Sequence, residues 1–196
     1  MSDLFYVKFK TYFLVRIKRH WAARSPLFRK ILARLREVGI AKISVISTLV
    51  GFELIIKQVL ESRLITWGGA ASVFPGVQLS LSHNRGVSFG LFESDHWLMP
   101  YGLAGIALVL VVAAVVWTAR QKSKLVNLAG TLLAVGGLAN AIDRLGDGAV
   151  TDYLEIGWQA IRWPTFNLAD VFIFIAVALL LVGWRKGVQD LDGHPQ

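Results

Sequence analysis

Four apolar runs of membrane length, separated by clusters of Lys and Arg, constrain this chain more than any other feature. They cover about 43–61, 97–118, 125–143 and 167–184. Each approaches the roughly 20 residues that a helix needs to cross a bilayer. Basic residues gather before the first run, between the second and third (Arg120, Lys122, Lys124) and after the fourth (Arg185, Lys186). Such clusters mark cytoplasmic segments. Four spans with both termini in the cytoplasm satisfy all three clusters at once. The expected fold is therefore all-α and integral to the membrane, a four-transmembrane-helix bundle with residues 64–96 and 144–166 on the outer side.

Composition narrows the class. Hydrophobic residues make up 55% of the 196, which fits a membrane protein. The formal charge is +8, and eleven of the 21 Lys and Arg fall within the first 42 residues. That asymmetry suits an anionic inner leaflet; nucleic acid is not expected as a partner, because the basic part carries no binding motif. Residues 1–41 read as a basic amphipathic extension, 42–186 as the four-span domain and 187–196 as a cytoplasmic tail. In the extension Ser25-Pro26 is a helix start, Leu27, Phe28, Ile31, Leu32, Leu35 and Val38 recur at helical spacing, and Gly39 can end the helix. An interfacial helix on the cytoplasmic leaflet and a solvated basic tail both fit this pattern. No small-residue cleavage site follows a short apolar core, so the first span reads as an uncleaved anchor. Cysteine is absent, and His20, His83, His96 and His194 show no ligand spacing. Neither a metal nor another cofactor is expected. In the outer loops Val77, Leu79 and Leu81 alternate with small or polar residues after the turn signal Pro75-Gly76. Trp67, Trp97, Trp158 and Trp163 sit where interface residues belong. A small β-rich extracytoplasmic layer is expected there.

The polar residues at the outer edges of these runs carry the chemistry. Ionisable groups near hydrocarbon are costly and mark functional sites. Asp152 lies in an apolar, β-prone stretch, and Asp170 lies in the first turn of the fourth span. Two carboxylates brought together can share a proton and divide acid and base roles. Asn167 stands one turn before Asp170 and can cap that helix. Asn140, Asp143 and Arg144 read as polar glue on a helix-packing face with Gly136. Asp147, between Gly146 and Gly148, reads as a turn residue, and Glu155 is a weaker rival for a catalytic role. Asn84 and Gly86 read first as a turn, and also as a backbone able to hold an extended peptide. Glu53 and Lys57 stand at i, i+4 within the first span and are expected to form an ion pair.

Four segments, in order, resemble the motifs of lipoprotein signal peptidase (signal peptidase II, aspartic peptidase family A8). They are Asn84-Arg-Gly86-Val-Ser-Phe89, Asn140-Ala-Ile-Asp143-Arg144, Val150-Thr-Asp152-Tyr153 and Phe166-Asn167-Leu-Ala169-Asp170. The resemblance covers about residues 43–185. It implies a multi-pass aspartic endopeptidase of the bacterial inner membrane. Its substrates would be diacylglyceryl-modified prolipoproteins, cut before the lipidated cysteine. It also implies Asp152 and Asp170 as the catalytic pair, with Asn84, Asn140, Asp143, Arg144 and Asn167 in support. The partners expected are that substrate and membrane lipid, and the chain is expected to be a monomer. Two departures stand out. The first-span motif reads Glu53-Leu-Ile-Ile-Lys57 where the family has Asp-Gln-x-x-Lys, and Ala139 replaces a Gly. Glu53→Asp, which restores the family residue, is expected to keep function. Two other functions compete with the enzyme: a non-cleaving homologue that binds lipoproteins, and a small proton-coupled transporter. Retention of both aspartates disfavours the first. The clustering of carboxylates at one end of the bundle disfavours the second.

Overall fold

The computed structural model describes residues 29–30, 39–86, 98–158 and 161–192, with side chains through Arg185. The amphipathic extension, apart from Arg29, Lys30 and residues 39–41, lies outside the described residues. So do Phe89, Trp97 and the tail beyond Asp192. Residues from Ile40 onward form a compact unit of their own.

Four helices there are long and apolar enough to cross a membrane. They are α1 (Ile40–Thr66), α2 (Met99–Thr118), α3 (Lys124–Asp147) and α4 (Leu168–Asp192). On α1 the buried residues are Val50, Glu53, Lys57 and Leu64. Their spacing of three, four and seven makes one narrow stripe. Phe52, Ile55 and Val59 point away from it, exposed, as side chains facing lipid would be. The centre of the bundle is α3. Half of its most apolar window is buried, against 11–22% for the other three spans. Small residues make this possible. A Cβ on Gly136 would run into the Ala169 carbonyl oxygen, one on Gly137 into Val111, and one on Gly130 into Thr118. Val50, Val135, Ala139 and Ala169 then close a core between α1, α3 and α4.

The helix α1 runs parallel to α3 and is pinned to it at two levels. Near one end Lys42 Nζ donates to Asn127 Oδ1 at 3.2 Å. Near the other, Lys57 Nζ donates to Asn140 Oδ1 and Asp143 Oδ2, both at 2.8 Å. Fifteen residues separate the two lysines, roughly 22 Å along the helix.

Beyond the helices lies a four-stranded antiparallel sheet in the order β1 (Ala70–Phe74), β2 (Val77–Asn84), β3 (Val150–Trp158), β4 (Ile161–Arg162). Pro75-Gly76 makes the β1–β2 turn, with Gly76 at φ 83°. Trp67, Trp158 and Trp163 are each more than half exposed at the rim of this layer. The register of β2 and β3 sets Ser82 opposite Asp152 and Asn84 opposite Val150.

Three span ends differ from the sequence reading. The first span continues to Thr66, the third continues past Asp143 to Asp147, and the fourth helix continues past 184 to Asp192, into the expected tail. The polar residues after Asp143 stay helical until Gly148, whose φ of 74° caps the helix in the left-handed region. Asp147 is thus the exposed last helical residue, and Gly148 alone makes the turn. Only Gly148 and Ala149 separate α3 from β3, so Asp143 and Asp152 come from one tight reversal.

Candidate active site

Local structure brings Asp152 and Asp170 to one place. Phe166 pairs with Leu154 on β3 through two backbone hydrogen bonds of 2.8 and 2.9 Å. That bridge fixes where α4 begins. Its first turn carries a reciprocal cap: Asp170 N–H donates to Asn167 Oδ1 at 3.0 Å, and Asn167 N–H donates to Asp170 Oδ2 at 3.2 Å. Asn167 thus caps the helix as its position suggests, and Asp170 takes part in the same cap. The other end of the Asn167 amide donates to Asp152 Oδ1 at 2.6 Å. One fully buried amide thus touches both carboxylate residues.

The remaining lone pairs are also engaged. Asp170 Oδ1 accepts from Asn140 Nδ2 at 2.8 Å. Asn140 is held in that orientation because its oxygen faces the Lys57 ammonium. Asp152 Oδ2 accepts from Asn84 Nδ2 at 3.4 Å, and Asn84 Oδ1 accepts from Gly86 N–H at 3.0 Å. Asp152 is nearly inaccessible, while Asp170 is half-buried. Burial, and next the Asp170 carboxylate, push the Asp152 carboxyl up to about 7, against the lowering pull of Asn167, Lys57 and Asn84. The Asp170 charge thus favours a proton held on Asp152 near neutral pH.

The residues around the pair form a scaffold. Asp143 accepts from Lys57 and from Thr151 N–H at 2.7 Å, joining α1, α3 and β3. Arg144 donates through Nη2 to the carbonyls of Gly86 and Asn84. It thereby holds the backbone at the end of β2. The expected Glu53–Lys57 ion pair is corrected. Lys57 pairs with Asp143 on another helix. Glu53 accepts from the Tyr153 hydroxyl at 3.1 Å and from Ala169 N–H at 3.3 Å. Both side chains are buried, and each has better-placed donors or acceptors across the bundle than its helical neighbour offers. Tyr153 and Thr151 are the contributors that motif reading passed over. The signal for Tyr153 was present: a phenol in an apolar strand needs a polar partner when buried. Burial and then the Glu53 carboxylate raise its proton affinity, so it remains a neutral donor.

A cavity of about 460 Å³ opens between α1 and α3 beside Lys57, Glu61, Asp143 and Asp147. Neither Asp152 nor Asp170 lines it. It lies behind the supporting residues, not at the pair.

Over residues 45–185 the chain matches the protein family described as signal peptidase (SPase) II. It is 33% identical over 161 residues to the lipoprotein signal peptidase of Rhodopseudomonas palustris, covering 80% of this chain and 92% of that protein. The Methylobacterium enzyme of the same name is 40% identical over 126 residues, 62% of this chain and 74% of its own. Among solved structures, a bacterial membrane enzyme determined in meso at 2.3 Å resolution is similar in fold. It has a TM-score of 0.60 and 24% identity, over 79% of this chain and 95% of that one.

Proposed function

Since the chain belongs to the signal peptidase II family, we propose that it removes signal peptides from lipoprotein precursors as an aspartic endopeptidase, with Asp152 and Asp170 as its catalytic pair. It is a multi-pass membrane peptidase. The observation that carries the aspartic reading is the Asn167 amide, which ties the two carboxylate residues together within one buried polar cluster.

In this reading the ionised aspartate takes a proton from water. The resulting hydroxide attacks the scissile carbonyl carbon, while the protonated aspartate donates to the carbonyl oxygen. When the tetrahedral intermediate collapses, the C–N bond breaks, the leaving amine takes a proton from the carboxyl that accepted it, and one hydroxyl of the intermediate returns its proton to the other aspartate as the carboxylic acid forms. Asn84, Asn140 and Asn167 orient the aspartates. Lys57, Asp143 and Arg144 hold the frame, and Gly86 is anchored through its carbonyl. The substrate is a diacylglyceryl-modified precursor. Its acyl chains remain in lipid beside the apolar helix faces, and the cut falls before the lipidated cysteine. Holding the chains at that depth positions the peptide bond.

The test is cleavage of a diacylated precursor by the purified chain, beside the same precursor without its lipid. Only the first should be cut, and a chelator should leave the rate unchanged. The pH dependence follows from the raised Asp152 carboxyl. Below about 7 the pair keeps its shared proton. As pH rises through that value both members ionise, the acid is lost, and kcat/KM should fall about tenfold per pH unit. A rate that stays flat from about pH 6 to about 9 would rule out the shared proton.

We further propose that the sheet faces the outside of a bacterial inner membrane, with both termini in the cytoplasm. The support is the position of Lys and Arg before α1, between α2 and α3, and after α4. Fusions of a phosphatase that is active only outside the cell should be silent after residue 186 and active within 67–84. Activity after residue 186 would reverse the orientation. Both aspartates come from one chain, which is consistent with a working monomer.

A further inference from the structure

Two buried side chains next to the aspartates have no part in the reaction as described. Three backbone N–H groups at the start of α4 lack helical partners, as at any helix start. Each finds a separate acceptor. Asp170 N–H uses Asn167 Oδ1, Ala169 N–H uses Glu53 Oε1 at 3.3 Å, and Leu168 N–H uses the Tyr153 hydroxyl oxygen at 3.1 Å. The Tyr153 hydroxyl in turn donates its own proton to Glu53. Both Glu53 oxygens face the Tyr153 hydroxyl, and Oε1 also accepts from the Ala169 N–H. Glu53 is fully buried and Tyr153 is 3% exposed.

We propose that Glu53 and Tyr153 act as one positioning pair, setting the placement of both catalytic aspartates. The proposal rests on the aspartic reading above and deepens it. Placement follows from sequence adjacency. Tyr153 comes directly after Asp152 on β3, and its contact residues Leu168 and Ala169 come directly before Asp170. A shift of the Tyr153 hydroxyl therefore moves the mounts of both aspartates. Asn167 supplies an ordinary neutral cap, and Glu53 and Tyr153 add two further acceptors at the same helix start. Lys57, Arg144, Asp143 and Asp152 also face this cluster, from α1, α3 and β3, and none of them touches the Ala169 or Leu168 N–H.

The geometry reverses one expectation from the sequence. Glu53→Asp would withdraw the carboxylate by about one C–C bond, roughly 1.5 Å. Contacts of 3.1–3.3 Å would then open past hydrogen-bonding range. This substitution should impair the enzyme, not preserve it.

The experiment uses the full chain in detergent micelles with aspartate 13C-labelled at the carboxyl carbon. The carboxyl signals are recorded in wild type, Glu53→Gln and Tyr153→Phe, and kcat and KM are measured on a diacylated peptide for these and the double variant. In both single variants the Asp152 and Asp170 signals should move while those of the other aspartates stay in place. Each single change should lower kcat about tenfold with KM within about twofold. The double variant should lose little more than the worse single, since the two act as a unit. Tyr153→Phe keeps the ring and so guards against simple misfolding. Unmoved Asp152 and Asp170 signals in folded Glu53→Gln, or additive losses in the double variant, would overturn the proposal. The spectra need no substrate. A wild type that cuts nothing would defeat the peptidase reading, while the spectra still decide what this pair does.

Discussion

Asp152→Asn and Asp170→Asn should each lower cleavage of a diacylated precursor by about a thousandfold or more, because each removes a group that must gain or lose a proton. The substitutions keep volume but not hydrogen-bond polarity. Both oxygens of each aspartate accept, so an amide must set its NH2 against another donor. In Asp152→Asn the weaker 3.4 Å contact to Asn84 is the one to yield, since Asn167 holds the other oxygen at 2.6 Å. In Asp170→Asn the NH2 would face either Asn140 or the Asn167 N–H, and the cap of α4 suffers if it is the latter. Asp152→Asn should therefore stay closer to wild-type stability than Asp170→Asn. Initial rates and thermal unfolding in detergent measure the two effects separately. Cleavage within tenfold of wild type by either variant would remove that aspartate from the reaction.

Lys57→Met should have the largest effect on the fold. The ammonium is 2% exposed and satisfies both Asp143 and Asn140. Removing one partner of a buried ion pair costs about 3–5 kcal/mol, since the other charge stays buried. Asp143 would keep only the Thr151 donors, and Asn140 would lose the contact that orients its amide toward Asp170. Activity should fall with stability. Adding Asp143→Asn should recover part of the lost stability by removing the stranded charge. A Lys57→Met protein that unfolds at the wild-type temperature would show that the pair contributes nothing.

What could be read before the structure followed from where the physics is local. Apolar length and Lys/Arg placement exposed four spans. Alternation at Val77, Leu79 and Leu81, and a β-prone run at 149–154, exposed β2 and the start of β3. Asp152, Asp170 and the asparagines stood out because polar groups at those positions need a reason. Three features were hidden. Helix α3 overran its apparent end, because the polar residues after Asp143 resemble a loop until Gly148 is seen in its left-handed conformation. β1, Ala70-Ala-Ser-Val-Phe74, has no alternation to betray it. Most of all, the partners of Glu53 and Lys57 were misassigned. Helical spacing offered each to the other, while the true partners lie 83 to 116 positions further along the chain. No periodicity reports a contact of that range.

That long range has a consequence for how the protein is made. A chain is synthesised from its amino end, so Asp143 is added 86 residues after Lys57. During that interval Lys57 cannot use the partner it holds in the finished bundle. The carboxylates its own span supplies are Glu53 and Glu61, one turn to either side. The helical neighbour that proved to be the wrong partner in the native state is thus an available one at the time of insertion. The mature partners of both Glu53 and Lys57 become available only once α3, β3 and α4 arrive.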